Sequence, residues 1–438
     1  MSVPPTIAIV GAGIAGLAAA VRLRGMGAHV RVVDPGPSGG KARTVAEDGW
    51  RREVGPHSFT ARAEAIFELA GELRLSDRIL RLGKAAGARY LVRGGQLCKA
   101  GPFALGLGEL WGLTRGLFRR GPVPVGMSVR AFLAARFGES FADGPGDALM
   151  TGIWAAAPAE VEMETAFPAL TAAIRAHGTV FAALRSLPRR RRTGSYGFAE
   201  GMGILGDTAR SLLGEATFHP HAALRIHPVG RGWTLETEGG PLAADAVIVA
   251  TGARNAAHLL AELSPAAAEG LRGIRYAPLA VAHWLSPDAA FPHGFGWLAP
   301  YREGRLVLGT LFSSDLFPDR APVGMRAFTS MFGGTRRADD AELDNQTISR
   351  RLRDEHRALT GRDVTLAGLE VVRHPRAVAV PQPGHAARVA RIRGSLPENL
   401  AVAGAWCGAG AMNDAALAGQ EEAARVWRLC TTRRPHAA

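Results

Sequence analysis

Apolar positions run unbroken from 7 to 10, an alanine-rich stretch at 17–24 reads as helix, and a second apolar run at 29–33 ends in Asp34. Strands covered on both faces lose the apolar–polar alternation of a half-exposed sheet, so these runs predict buried parallel neighbours joined by a helix. From 101 to 124, leucines and aromatics are punctuated by Gly and Arg, and a helical pattern continues through 128–137. The arginine run at 189–192 predicts an exposed linker. Beyond it, 233–236 and 246–250 read as strands and 283–312 holds several more. The chain closes on an apolar strand at 400–403, a Gly-rich turn and a helix over 413–429. No internal repeat interrupts this order.

The chemistry lies at the junctions of these elements. Gly11-Ala12-Gly13-Ile14-Ala15-Gly16 follows the first strand. Its first glycine permits a tight turn, its second lets backbone approach a pyrophosphate at a helix N-terminus, and its third lets helix pack close on strand. Asp34 stands at roughly the 20-residue distance at which a carboxylate meets ribose hydroxyls. Gly39-Gly40-Lys41-Ala42-Arg43 comes next and offers backbone N–H groups, with Lys41 and Arg43 as cations, where a diphosphate must be neutralised. A nicotinamide fold does not require this, so the expected cofactor is FAD.

Glu53-Val54-Gly55-Pro56-His57-Ser58 then gives a rigid turn that can lie close to an isoalloxazine ring. His57 there is a base or, more simply, a structural hydrogen-bonding residue. Ala250, after its strand, is a weaker signal for the return strand beside the nucleotide. Gly404, Ala409, Gly410, Ala411 and Met412 form a turn leading into the last helix. The helix N-terminus can stabilise the negative charge of a reduced flavin at its N1/C2 edge. No nucleophile elbow, HExxH motif, P-loop or dithiol accompanies these segments. Catalysis is therefore expected to be flavin-centred, with no metal and no dedicated catalytic side chain.

Composition narrows the partners. Three cysteines, Cys98, Cys407 and Cys430, are too scattered for a disulfide framework or a zinc site. A net charge of +13 and a pI near 10.8 would suit nucleic acid, an anionic membrane surface or an acidic substrate. Nucleic acid is not expected, because no series of aromatics among the arginines builds a stacking groove. No run of about 18 apolar residues reads as a membrane span, and the apolar start is broken by glycines at motif spacing. A cytoplasmic chain is expected, soluble or peripheral at the inner face of the membrane.

Over nearly its whole length the chain resembles the protoporphyrinogen oxidases of the flavin-containing amine oxidase superfamily. Beyond the nucleotide segments, the resemblance is carried by Arg89-Tyr-Leu-Val-Arg-Gly-Gly95, Gly152-Ile-Trp-Ala-Ala156 with Phe167-Pro-Ala-Leu170, and Gly294-Phe-Gly-Trp-Leu-Ala-Pro300. Met331-Phe-Gly-Gly334, Val380-Pro-Gln-Pro-Gly-His385 and Met412-Asn-Asp414 follow in the same order. It implies oxidation of protoporphyrinogen IX to protoporphyrin IX by successive hydride transfers to non-covalent FAD, with oxygen as acceptor. It also implies Arg89 against a substrate propionate, and Phe295, Leu298 and Met331 lining the macrocycle pocket. One departure is Ala386, where family members can place an aromatic residue against the flavin.

The expected architecture is α/β: a Rossmann-like FAD-binding domain assembled from discontinuous segments, an inserted α+β substrate domain and a helical, membrane-binding subdomain. The FAD segments are expected at 1–85, 195–256 and 371–438, the substrate-side segments at 86–104 and 257–370, and the helical subdomain at 105–188. Within 105–120, apolar Leu107, Leu110, Trp111, Leu117 and Phe118 beside Arg115, Arg119 and Arg120 fit an anionic membrane surface, and equally a helical wall of the substrate cavity. The nearest alternative function is a coproporphyrinogen III oxidase, followed by a flavin-dependent desaturase of another substrate and a redox-inactive flavin module. The amine oxidases' lysine near the flavin has no counterpart, since no lysine follows Lys99.

Overall fold

The computed structural model describes residues 3–101, 104–188 and 192–432. The expected arginine linker thus lies outside the described residues except for Arg192, whose guanidinium sits 4.0 Å over the Phe67 ring.

The two apolar runs at the start become strands Thr6–Val10 and His29–Val33 around the helix Ile14–Gly25. They belong to a five-stranded, all-parallel sheet in the order Phe218–His219, His29–Val33, Thr6–Val10, Ala246–Val249, Leu400–Val402. Its strands come from three distant parts of the sequence, as a domain assembled from discontinuous segments requires. Ile14–Gly25 and the closing helix Met412–Thr432 cover one face, so close that a Cβ on Gly419 would meet the Ala15 carbonyl at 2.1 Å. Helices Ala253–Leu259 and Pro265–Arg272 cover the other. This is the expected Rossmann-like α/β arrangement.

A second sheet has seven strands, in the order Gly368–Ala379, Tyr276–Ser286, Arg326–Gly333, Val307–Leu311, Gly296–Leu298, Arg89–Arg93, Gln96–Lys99. All pairs are antiparallel except Gly296–Leu298 with Arg89–Arg93. One face is closed by an aromatic core in which Trp284 stacks on Phe328 at 4.3 Å, backed by Ile348 and Leu352 of the helix Asn345–Thr360. The other face meets helices Val129–Phe137, Asp147–Trp154 and Pro168–His177, whose core includes Val281 and Leu279 of the sheet. Because Gly368–Ala379 pairs along Tyr276–Ser286, we propose that the substrate-side unit runs to residue 379; the expected boundary at 370/371 falls inside that strand.

The helix Leu107–Phe118 packs through Gly112 and Gly116, where an added Cβ would meet the carbonyls of Phe137 and Arg136 at 2.1 and 2.3 Å. Its opposite side leaves Leu107, Trp111 and Phe118 exposed. Among the described residues no helix is long and apolar enough to cross a membrane.

Candidate functional site

The motif residues gather at the C-terminal ends of the parallel strands, where open α/β sheets bind ligands. Gly11 leaves its strand at φ +112°, and a Cβ there would press on the Ala250 carbonyl at 2.8 Å. A Cβ on Gly16 would lie 1.8 Å from the Gly11 carbonyl, which is why helix and strand can meet. Gly13 differs from both: an added Cβ meets nothing within 4 Å. The backbone around Gly13 thus faces open space at a helix N-terminus, the cradle a pyrophosphate would fill. Ala12, Ile14 and Ala15 are buried behind it. Asp34 Oδ2 accepts from the Ala12 amide at 2.6 Å and Oδ1 from the Gly36 amide at 2.7 Å, which fixes the carboxylate at the strand end.

Three further loops close on this point. Gly39 bridges to Gly13, and Gly40, at φ +58°, lies against the Gly13 Cα. Lys41 turns away toward the seven-stranded sheet, donating to the carbonyls of Arg376 and, at 2.8 Å, Ala377. Desolvation there, with Arg376 adding, lowers its ammonium to about 8. Arg43 Nε donates to the Gly40 carbonyl at 2.8 Å. Gly55 allows the turn before Pro56 to press on Lys41, whose carbonyl lies 2.6 Å from where a Cβ would stand. His57 and Ser58 follow, half-buried. In the last loop Trp406 donates to the Thr251 carbonyl at 3.1 Å, Trp154 to the Ala409 carbonyl at 2.5 Å, and Asp414 accepts from the Ala411 amide at 2.9 Å. Gly404 abuts Trp406, and Gly410, at φ +95°, comes against the Ala379 carbonyl; Met412 starts the helix. Cys407 in this loop is pushed up to about 12 by burial, so its thiol stays protonated.

The residues that the resemblance places at the substrate, Leu298 and Met331, lie on one face of the seven-stranded sheet. Leu298 pairs with Gly309, Gly309 with Met331, and Met331 with Val281. Two residues along each strand, Arg89, Gly296, Leu311, Thr329 and His283 make a second row. Side chains two apart in a strand share a face, so Leu298, Met331, Thr329 and His283 look the same way. Gly152 of the helix above comes against Leu298, where a Cβ would meet its methyls at 2.8 Å. Arg89 is exposed at the sheet edge, its guanidinium 4.4 Å over the Phe295 ring.

Sequence reasoning did not single out Thr329, the hub that joins the two halves. Its hydroxyl lies 3.2 Å from His57 Nε2, 3.0 Å from His283 Nδ1 and 2.9 Å from Ser313 Oγ. Burial, with Arg320 adding, lowers His57 to about 4; burial, with His57 and Arg52 adding, lowers His283 to about 3. Both imidazoles are neutral at physiological pH. Nor was the buried ion pair of Glu53 with Arg320 foreseen, at 2.9 Å and with both side chains almost fully enclosed. Glu53 also accepts from Thr44 Oγ1 at 2.8 Å and the Met202 amide at 3.2 Å. Its place in the motif before Gly55 was the available signal.

A parallel sheet with glycine loops at its carboxyl ends, open space at Gly13 and an apolar sheet face alongside defines an FAD-dependent oxidoreductase. Residues 14–427 match the family model of flavin containing amine oxidoreductases, and the chain belongs to that family. It is 30% identical to a coproporphyrinogen III oxidase of Mycobacterium tuberculosis, covering 92% of this chain and 93% of the relative. With protoporphyrinogen oxidase 2 of Arabidopsis thaliana the identity is 27%, over 81% of this chain and 80% of the other. Among solved structures, a protein of Exiguobacterium provisionally described as a protoporphyrinogen oxidase superposes with a TM-score of 0.84 at 18% identity, covering 98% of this chain and all of that one, which bears on the fold.

Proposed function

We propose that the chain oxidises a porphyrinogen to the corresponding porphyrin, with oxygen as terminal acceptor. The observation that carries this reading is the sheet edge beside the cofactor loops: Leu298 and Met331 are apolar and only half-buried, with the Arg89 guanidinium stacked on Phe295 at the exposed edge. A large apolar ring with carboxylate side chains needs this combination. Bound FAD supplies the hydride acceptor, held by the Gly11–Gly16 turn, Asp34, the 39–43 and 55–58 loops and the helix at Met412. No cysteine matches the superfamily's flavin-linking position, so the FAD is held without a covalent bond.

The protein's own groups bind, orient and exclude water. Arg89 can hold a propionate through two parallel hydrogen bonds and so fix the rotation of a nearly featureless macrocycle. His57 and His283, kept neutral, bring no positive charge to the buried wall around Thr329. Pyrrole N–H protons depart to water. The sequence resemblance implies protoporphyrinogen IX as substrate, and the mycobacterial relative favours coproporphyrinogen III. Docking at the cytoplasmic face of an anionic membrane belongs to the same proposal: exposed Trp111 and Phe118, with Phe118 4.8 Å from Phe181, sit beside Arg115, Arg119 and Arg185. Porphyrin fluorescence developing in air tests the reading. Enzyme-dependent fluorescence from at least one of the two porphyrinogens is expected, and none from either would refute it.

A further inference from the structure

Thr329 Oγ1 has three polar neighbours, His57 Nε2 at 3.2 Å, His283 Nδ1 at 3.0 Å and Ser313 Oγ at 2.9 Å, and a single proton to give. The ring of His57 decides where that proton goes. The Gly55 carbonyl accepts from this ring, and Nε2 is engaged by Thr329, so the His57 proton stands on Nδ1. A neutral imidazole then offers Nε2 as an acceptor, and Thr329 donates to it. With its proton committed, Thr329 accepts from His283 Nδ1–H and from the Ser313 hydroxyl. His283 is neutral too, which leaves its Nε2 bare.

Among the described residues neither His283 Nε2 nor Arg320 Nη1 has a hydrogen-bond partner, and each residue is only 2% exposed. Both residues line one small cavity with room for about one water. The two unmatched groups are an acceptor and a donor. A water molecule serves both at once, whereas an anion can only accept and would leave His283 Nε2 unmatched. Charge points the same way, since Arg320 is already paired with Glu53 at 2.9 Å and Arg52 with Glu47 at 2.6 Å.

We propose that this cavity is the site of one buried structural water, which accepts from Arg320 Nη1 and donates to His283 Nε2. The water completes a one-way chain of hydrogen bonds from Arg320 through His283, Thr329 and His57 to the Gly55 carbonyl. His283 and Thr329 stand on neighbouring strands of the seven-stranded sheet, and the chain ends on the 55–58 turn. Resting on the reading above that lays this turn against FAD, Thr329 and His283 are positioning residues, which act through His57. The competing tautomer puts the proton on His283 Nε2, where the Glu53 carbonyl beside the ring could receive it. Thr329 would then face a bare Nδ1 at 3.0 Å, lone pair against lone pair.

A high-resolution crystal structure of the FAD-loaded protein should show one water within hydrogen-bond distance of Arg320 Nη1 and His283 Nε2. A crystal soaked in bromide should show no anomalous peak there. An empty cavity or a halide in it would overturn the water. Nitrogen-15 NMR of histidine-labelled protein at neutral pH, assigned with His57→Gln and His283→Leu, should find Nδ1 protonated and Nε2 bare in both rings. The opposite tautomer in either ring would overturn the chain. The positioning role is read from FAD affinity and the visible circular dichroism of the bound flavin. Thr329→Val should weaken FAD by about three- to tenfold, the scale of one hydrogen bond, and change the spectrum, while Thr329→Ser should restore both. Wild-type affinity and spectrum in Thr329→Val would overturn that role; if this variant does not fold, His283→Leu, which breaks the chain one link earlier, supplies the comparison. None of these readouts uses a porphyrinogen, so their failure is distinct from failure of the proposed reaction, and a wild type that binds no FAD would overturn the cofactor reading instead.

Discussion

At the carboxyl ends of the five parallel strands the walls are backbone: Gly11, Gly13, Gly16, Gly39 and Gly55 bring main chain against main chain, with Gly13 facing open space. On the seven-stranded sheet the residues expected at the substrate act through side chains: Leu298, Met331 and the Arg89–Phe295 stack, next to Thr329 and His283. The two ends should therefore fail differently. A cofactor cradle made of backbone breaks when any Cβ intrudes, while a floor made of side chains loses specificity piece by piece and keeps its fold.

The glycines give the largest test of this contrast. Gly13→Val should leave the apo fold intact, since its Cβ meets nothing, yet weaken FAD binding by more than about 100-fold. Gly16→Val should instead destabilise the protein by about 3 kcal/mol or more, because its Cβ would overlap the Gly11 carbonyl. Melting curves of both apoproteins, with flavin content by absorbance, check the pair. An apo Gly13→Val as unstable as Gly16→Val would erase the distinction.

Acid comes next. His57 and His283 fall from the ordinary 6.5 to about 4 and about 3 in the fold. A depressed folded value contributes stability that is present above pH 6.5 and is lost as pH falls toward 3. Urea midpoints across that range should drop with acidity, and His283→Leu should flatten the fall. An equal slope in the variant would show that these histidines do not set it.

Arg89→Ala should lower kcat/KM on the preferred porphyrinogen by about 10- to 100-fold through one lost charge-assisted contact, with melting unchanged because the residue is exposed. Wild-type kinetics in Arg89→Ala and Arg89→Lys would remove it from the substrate site. The smallest effect concerns the helix Leu107–Phe118. Co-sedimentation with anionic but not neutral liposomes is expected, reduced by Trp111→Ser; failure to bind either leaves that helix as a cavity wall only.

The same contrast explains what could be read from the sequence. Gly13, Gly16 and Asp34 act through one short stretch of chain, Gly16 against Gly11 and Asp34 on Ala12, so their spacing alone announces a cofactor turn. The last helix was legible in the same way and extends slightly, to Met412–Thr432. His57, by contrast, meets Thr329 across 272 residues, and nothing local marks Thr329 within the strand Arg326–Gly333. Arg320 looks like any loop arginine until Glu53 is found 2.9 Å away. Strand Gly368–Ala379 contains Pro375 and alternates weakly, which hid its place along Tyr276–Ser286. Leu298 and Met331 were singled out only by resemblance, because an apolar residue in a strand looks the same whether it faces a core or a substrate.

The central claim is that a porphyrinogen lies on the side-chain floor and delivers hydride to FAD held in the backbone cradle. Anaerobic mixing of the FAD-loaded protein with coproporphyrinogen III or protoporphyrinogen IX, followed at the flavin absorbance maximum, tests it directly. The account predicts bleaching of the oxidised flavin with concurrent rise of oxidised tetrapyrrole absorbance, and recovery of the flavin band on admitting oxygen. A fully FAD-loaded protein whose flavin stays oxidised with both porphyrinogens would contradict it.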